Sequence, residues 1–286
     1  MMLAHLIAAT GAAVVAALGA HSLLVEQFKL QVREFELAFC DLPPAFDGYT
    51  ILHISDLHLS KLGLLEKRLM ELISDREVDT CVITGDVTSL PRASDIFRRV
   101  CSVIKHRDPI FGVLGNSEHK PWLDTRMLVE ALSFEGFAML VNSSSTIRRG
   151  EGQITLVGVD DAFTRHDDIE AAFSGVDPNA FIIFLTHCPS LAPQGIERGA
   201  DLILSGHTHG GQVRIPGIGL LWTHMRACKK LNDGLYLPGD LRRILGTDPG
   251  HSVLFVNRGV GTSKLHIRFL CPPEIAYITL RRRQLR

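Results

Sequence analysis

Residues 205–213 have the sequence Ser-Gly-His-Thr-His-Gly-Gly-Gln-Val, in which two histidines stand one residue apart between glycines. The preceding run, Ala200-Asp201-Leu202-Ile203-Leu204, predicts a short buried strand, so the glycines fall where the backbone must turn sharply. In open α/β sheets, ligands bind outside the carboxyl ends of the strands. We therefore interpret His207 and His209 as metal ligands at a strand end.

Four further predicted strands are each followed by side chains that can bind a metal, and helices are predicted between the first three strands. These strands and the residues after them are 49–55 with Asp56 and His58, 79–84 with Asp86, 109–114 with Asn116, and 180–186 with His187. Together with the first two histidines they supply seven nitrogen and oxygen ligands, more than one ion can use. A pair of divalent ions about 3.5–4 Å apart matches this number. Imidazole, carboxylate and amide ligands suit Mn, Fe or Zn better than Ca or Mg. We expect Mn, with Fe or Zn as alternatives.

The other apolar runs predict the fold class. Residues 137–159 predict consecutive strands with a hairpin, and residues 253–257 and 275–280 predict closing strands. Strands and helices that alternate and then give way to hairpins favour an α/β protein with two packed sheets flanked by helices over a single parallel sheet.

The N-terminus is apolar. Residues 3–25 carry no formal charge and would form a helix of about 34 Å, long enough to cross a bilayer. A cleavable signal peptide is the alternative, but no Lys or Arg precedes the apolar run. Lys29 and Arg33 follow it, which favours an anchor in the inner membrane with the globular part in the cytoplasm. We expect an anchor at 1–25, a connecting strand and loop at 26–48, and a catalytic domain at 49–286.

The chain is close to neutral overall. The chain has 30 Lys and Arg against 31 Asp and Glu, so a nucleic-acid partner is not expected. Its six cysteines form no C-x-x-C pair, which favours a reducing compartment. We expect no obligate protein partner.

The motifs D-x-H, G-D, G-N, a lone His and G-H-x-H follow one another at strand ends, and in this order they resemble the calcineurin-like metallophosphoesterase superfamily. The resemblance covers about residues 49–280. The stretch 206–213, together with Arg258-Gly259 and Cys271-Pro272-Pro273-Glu274-Ile275, is most similar to the membrane-associated bacterial branch.

This resemblance implies an αββα sandwich and a hydrolase of phosphate esters or anhydrides that uses in-line attack of an activated water on phosphorus. It also implies the roles of single residues. Asp56, His58 and His209 would hold the first metal, Asn116, His187 and His207 the second, and Asp86 would bridge the two.

One position departs from the superfamily pattern. Many members have a His after the Asn of G-N, where it can protonate the leaving group, but here Ser117 follows Asn116. Loss of a positioned acid costs roughly a hundredfold or more on alkoxide leaving groups, whereas pyrophosphates need little help. This favours pyrophosphate substrates. His119 is the candidate replacement acid, and Arg258 is a candidate phosphate ligand, although an arginine with a structural role fits the sequence equally well.

Some superfamily members that also lack this His hydrolyse UDP-2,3-diacylglucosamine, a lipid A precursor. One loop is both apolar and basic, with Ile218, Leu220, Leu221, Trp222, Arg226, Lys229 and Lys230. This composition and the Arg-rich C-terminus fit contact with an anionic lipid surface. Packing of Ile218 and Trp222 on the sandwich and a solvated C-terminal end are the alternatives. We therefore expect a nucleotide-linked lipid as the substrate. The alternatives are a broad phosphodiesterase, a cell-wall lipid phosphatase, and a membrane-tethered metal-binding scaffold without activity.

Overall fold

The computed structural model describes residues 1–217, 219–220 and 230–283. Of the predicted lipid-facing loop, Ile218, Leu221, Trp222, Arg226 and Lys229 lie outside these residues, as does the last part of the Arg-rich C-terminus. The helices are α1 Met2–Leu24, α2 Leu64–Ser74, α3 Ser94–Ser102, α4 Thr125–Leu132, α5 Ile169–Ala172, α6 Ala192–Glu197 and α7 Pro238–Leu245.

The strands belong to two large sheets and two short ribbons. They are β1 Gln31–Phe39, β2 Thr50–Ile54, β3 Glu77–Val78, β4 Thr80–Thr84, β5 Lys105–His106, β6 Ile110–Val113, β7 Phe137–Met139, β8 Ser143–Arg149, β9 Gly152–Gly158, β10 Phe181–Leu185, β11 Leu202–Ser205, β12 Arg214–Ile215, β13 Gly219–Leu220, β14 Gly234–Tyr236, β15 Val253–Val256 and β16 Glu274–Arg282.

Both large sheets have six strands and are mixed. The first has the order β1-β16-β2-β4-β6-β7, in which β2, β4, β6 and β7 are parallel. The second has the order β14-β15-β11-β10-β9-β8, in which β15, β11, β10 and β9 are parallel. The antiparallel hairpin of β8 and β9 closes one side of the second sheet. Each sheet therefore has a central parallel group whose carboxyl ends share one edge.

The two sheets pack face to face, and helices cover their outer faces. One buried cluster joins Ile51 and Phe111 of the first sheet to Phe181 and Phe255 of the second. A second cluster lies between the first sheet and helices α2, α3 and α4, and a third lies between the second sheet and α6 and α7. The strands of the centre, such as β10, are buried along their whole length, which explains their continuous apolar sequences. The predicted αββα sandwich of two mixed sheets is confirmed.

Local structure departs from the sequence pattern at α3. The apolar spacing predicts a helix over 94–105, but α3 ends at Ser102 and Lys105–His106 form strand β5, which pairs with β3. The stretch 26–48 is also more than a connection. Its strand β1 pairs in parallel with β16 over nine residues and is part of the first sheet.

The N-terminal helix α1 is long and apolar enough to cross a membrane, with its candidate span at Ala9–Phe28. Hydrogen bonds tie the C-terminal end of α1 and the turn after it to the domain. The Ser22 hydroxyl donates to the Arg268 carbonyl at 2.8 Å, and the Glu26 carboxylate accepts from the Cys271 backbone N–H at 2.8 Å. Ser22 and Glu26 are both buried. The end of the apolar helix is therefore held against the segment that precedes β16.

Candidate metal centre

Parallel strands of both sheets bring the predicted ligands to one edge. Four of the ligands follow the last residue of a strand by two positions, and these are Asp56 after β2, Asp86 after β4, His187 after β10 and His207 after β11. The regular offset places the side chains in the loops at the carboxyl ends of the strands, where ligands of α/β proteins bind.

The backbone at this edge is strained. Five of the seven predicted ligands have φ between 46° and 69°, in the left-handed region that residues other than glycine seldom adopt. They are Asp56, His58, Asp86, His207 and His209. Such strain persists only where the surrounding structure enforces it, and it is concentrated at functional sites.

Four predicted ligands form one compact group. Donor atoms of Asp56, His58, Asp86 and His209 all lie within 4.8 Å of one another. The Nε2 atom of His209 lies 3.2 Å from Asp56 Oδ1 and 3.2 Å from His58 Nε2, and the two imidazole rings stack. The structure thus brings together the residues predicted to hold the first metal, with Asp86 beside them.

Two further histidines lie on the other side of Asp86. The Nε2 atom of His187 is 3.4 Å from Asp86 Oδ1 and 3.1 Å from His207 Nδ1. The other oxygen, Asp86 Oδ2, lies 3.4 Å from His58 Nε2. The Asp86 carboxylate therefore faces one histidine group with each oxygen, as a bridging ligand must.

Asn116 is placed at this edge without a contact that defines its role. It is half-buried, and Ser117, the next residue, donates its backbone N–H to Asp86 Oδ1 at 2.7 Å. Within the described residues, the Asn116 amide makes no hydrogen bond to the other predicted ligands.

The donor set fits a bound cation. Asp56 Oδ1 is buried without a hydrogen bond, whereas Oδ2 accepts from the Ser55 hydroxyl and the His207 backbone N–H. His58 and His209 also bring their Nε2 atoms to 3.2 Å, a separation at which one ring must carry its proton on Nε2 unless a cation lies between the two nitrogens. A positive ion between these nitrogens and the buried carboxylates would satisfy all of them.

Burial also keeps two of the imidazoles ready to bind a metal. It lowers the pKa of His58 to about 4 and that of His207 to about 3, so both rings are neutral at pH 7. Burial alone would raise the pKa of Asp86, but His187 and His58 beside it hold that pKa well below its usual range. The Asp86 carboxylate and these two imidazoles are therefore in the protonation states that ligate metals.

Neighbouring groups orient the ligands. The ring nitrogen Nδ1 of His187 lies 2.7 Å from the Thr84 carbonyl, which assigns the proton to Nδ1 and turns Nε2 toward Asp86. The Ser117 hydroxyl lies 3.4 Å from His58 Nδ1. Ser117 therefore contacts a predicted ligand, a role that its place in the motif did not suggest.

The buried residue Glu118 was missed by the sequence analysis. Its carboxylate accepts from the backbone N–H groups of Asp86, Thr88 and Gly115 at 3.1, 3.0 and 2.8 Å. Burial and the nearby negative Asp86 raise the pKa of Glu118 to about 8. Glu118 thereby joins the loop after β4 to the loop after β6. Its position two residues after Asn116 was the signal available in the sequence.

The two other candidate residues contact groups outside the ligand cluster. The Nε2 atom of His119 lies 2.7 Å from Asp160 Oδ1, and its ring stacks on His166 with centroids 3.9 Å apart. The Nε atom of Arg258 donates to Asp233 Oδ2 at 3.0 Å and lies 3.7 Å from Glu274 Oε2.

Gly206 allows the two sheets to approach at the centre. A Cβ atom at this position would overlap the Ser55 hydroxyl and the Asp56 carboxylate. No positive φ is required of Gly206, so the constraint there is one of space alone.

We predict that Gly206→Ala displaces Asp56 and weakens metal binding by about tenfold or more, as the loss of a supporting contact does in other metal sites. Metal content after dialysis against graded chelator measures the effect. Gly239→Ala in α7, where no atom lies within 4 Å of the added Cβ, is the matched control. Equal metal retention in both variants would contradict this account of the centre.

Comparison with known proteins places this site in a family. Residues 49–211 match the model of the calcineurin-like phosphoesterase family. The chain is 30% identical to the uncharacterized metallophosphoesterase YkuE of Bacillus subtilis, over 90% of this chain and 87% of that protein. It is 35% identical to the UDP-2,3-diacylglucosamine pyrophosphatase LpxG of Chlamydia trachomatis, over 82% of this chain and 85% of that protein.

A relative from Danio rerio, named transmembrane protein with metallophosphoesterase domain, is 27% identical over 88% of this chain and 57% of its own length. The family model covers more than half of the chain, and the relatives from Bacillus and Chlamydia match most of it. The chain belongs to the calcineurin-like phosphoesterase family of metal-dependent hydrolases.

Proposed function

We propose that the chain is a dinuclear hydrolase that cleaves the pyrophosphate bond of a nucleotide-linked lipid such as UDP-2,3-diacylglucosamine. The proposal that two metal ions bind rests on the position of Asp86, whose two carboxylate oxygens face two separate groups of histidines. In this proposal Asp56, His58 and His209 hold one ion, and Asn116, His187 and His207 hold the other. Asp86 contributes to both.

The residues of the chain hold the reacting groups in place. Two divalent ions bound there, Mn in our proposal, with Fe or Zn as alternatives, would polarise the phosphate oxygens and lower the pKa of a water. The buried carboxylates would balance the positive charge of the ions. The Thr84 carbonyl oxygen, which accepts from His187 Nδ1, and the Ser117 hydroxyl beside His58 Nδ1 keep the two imidazoles in their orientations. Arg258 is proposed to contact a phosphate oxygen through its guanidinium.

Three observations support a pyrophosphate in a lipid. LpxG, named as a UDP-2,3-diacylglucosamine pyrophosphatase, is similar over most of this chain. The apolar helix α1 is long enough to cross a bilayer and is tied to the domain through Ser22 and Glu26. Ser117 stands where an acid would assist a poor leaving group, and a phosphate leaving group needs little such assistance.

A substrate panel tests the proposal. With Mn, we expect turnover of a UDP-linked lipid to exceed that of simple phosphodiesters and phosphomonoesters by at least about tenfold. Asp86→Asn should lower turnover of every substrate by about a hundredfold or more, because the shared carboxylate is lost. Metal analysis of the same samples should give about two ions per wild-type chain and fewer in the variant.

The panel also separates the alternatives. Preference for simple diesters would favour a broad phosphodiesterase, and preference for a lipid monophosphate would favour a cell-wall lipid phosphatase. Either result would contradict the pyrophosphatase proposal. A membrane-tethered scaffold without activity is disfavoured, since the chain belongs to a family of hydrolases and its structure clusters six of the seven predicted ligands.

We propose His119 as the proton donor to poor leaving groups. Asp160 holds its Nε2 atom, while Nδ1 lies 3.4 Å from the Thr125 hydroxyl. His119→Ala should then reduce the rate on an alkyl phosphodiester by about a hundredfold and spare a pyrophosphate, because these leaving groups differ in their need for a proton. His166→Ala, which removes the ring stacked on His119, is the control. An equal loss on both substrates would assign His119 a structural role.

We propose that α1 anchors the protein in the inner membrane with the catalytic domain in the cytoplasm. Lys29 and Arg33 follow the apolar segment, and positive residues near a span remain preferentially on the cytoplasmic side. We expect a C-terminal fusion to a reporter enzyme that functions only in the cytoplasm to be active, and a fusion to a reporter that functions only in the periplasm to be inactive. Activity of the periplasmic reporter instead would contradict the proposed orientation and place the catalytic domain on the periplasmic side.

A further inference from the structure

A cavity of about 580 Å³ lies between the end of the N-terminal helix and the start of α2. Its walls include Gln27 and Phe28 after α1, Leu57 and His58 after β2, and Leu64 and Leu65 of α2. We call it the tail cavity. A volume of this size is typical of sites for small molecules.

One end of the tail cavity reaches the metal centre. His58 belongs to its wall and also lies 3.4 Å from Asp86 Oδ2. The His58 side chain is 18% exposed, compared with 2% for His209 and 0% for His187, so it is the point at which the ligand cluster opens to this cavity. A molecule in the cavity can therefore extend to the proposed reaction site.

The other end is apolar and adjoins the membrane helix. Phe28 is 40% exposed and Leu64 is 75% exposed, although both carry large apolar side chains. Phe28 is also the last residue of the candidate membrane span. Exposed apolar side chains at the entrance to a cavity are typical of sites that bind apolar ligands.

The position of this entrance relative to the metal centre is fixed. Glu26 accepts from the Cys271 backbone N–H, and the Cys271 thiol lies 3.3 Å from the His209 carbonyl oxygen. One residue thus contacts both the end of the apolar helix and the loop that carries a predicted ligand. The cavity cannot turn away from the bilayer without breaking these buried contacts.

Charge along the cavity also suits an amphiphile. Lys61 lies on its wall near His58 in sequence and is exposed, so it can contact an anionic head group. The wall residue Glu66 is half-buried, and its Oε2 atom accepts from the Gly63 backbone N–H at 2.8 Å. The cavity therefore offers exposed apolar side chains next to the candidate membrane span and, on the same wall as His58, a cationic side chain.

We propose that the tail cavity receives an acyl chain of the substrate from the bilayer while the phosphate groups lie at the metal centre. This inference rests on the proposed function, because it assigns a position to the lipid part of the same substrate. Each methylene that enters an apolar site favours binding by about fourfold, so a few buried carbons already discriminate strongly between long and short chains.

The first test compares two substrates with one head group. In full-length protein, Phe28→Ser combined with Leu64→Ser should lower the ratio of kcat/KM for a long-chain UDP-linked lipid to that for a short-chain analogue by at least about tenfold. Met127→Ser in α4, where the side chain is 67% exposed, is the matched control and should leave the ratio unchanged. An unchanged ratio in the double variant would overturn the proposal.

The second test needs no turnover. A phosphatidic acid with a diazirine on one acyl chain, supplied in phosphatidylcholine vesicles, should label the peptide that contains Leu64 and Leu65 on irradiation. Leu65→Trp, which fills the cavity, should reduce this label at least about fivefold. Labelling that is absent from this peptide, or unaffected by Leu65→Trp, would contradict entry of the chain.

The two tests distinguish failure of the inference from failure of the proposed function. Labelling of α2 without hydrolysis of any UDP-linked lipid would refute the proposed substrate and retain the cavity as an acyl-chain site. Hydrolysis of UDP-linked lipids at a rate that does not depend on acyl-chain length, without labelling of α2, would refute the acyl-chain site and leave the proposed pyrophosphatase activity standing.

Discussion

The arrangement of this protein depends on the Asp86 carboxylate and the imidazoles on either side of it. Asp86 comes from the first sheet, whereas His187 and His207 come from the second, so the centre exists only when the carboxyl edges of both sheets meet. The buried apolar cluster between the sheets brings these edges together and excludes water from them. Burial in turn makes the charges costly, and only close pairing or a bound cation offsets that cost.

Much of this centre could be predicted from the sequence, because the same local pattern, an apolar strand followed by a ligand-type residue, occurs several times. A buried strand followed by a polar residue places that residue at a known edge, and this rule located Asp56, Asp86, His187 and His207 without knowledge of their contacts. The fold class followed from the same strands. The N-terminal helix was recognisable from composition, since length and lack of charge suffice for it.

The remaining features depend on contacts between distant parts of the chain. The Glu118 carboxylate accepts hydrogen bonds from backbone N–H groups of the loop that carries Asp86, about 30 residues earlier in the chain. The periodicity of the sequence gives no indication of such a contact. The bond between Glu26 and Cys271 spans 245 residues and becomes visible only in three dimensions. The end of α3 at Ser102 could not be predicted from the local sequence either, because β5 forms only by pairing with β3.

The left-handed backbone at five ligand positions has a consequence for protein engineering. This conformation is tolerated best by Asn, Asp and His among residues with a side chain, and these are the residue types found among the predicted ligands. A designer who wished to replace a ligand with Cys, to favour a softer metal, would have to remodel the loop as well. The backbone conformation of the loops thus restricts which residue types can serve as ligands at these five positions.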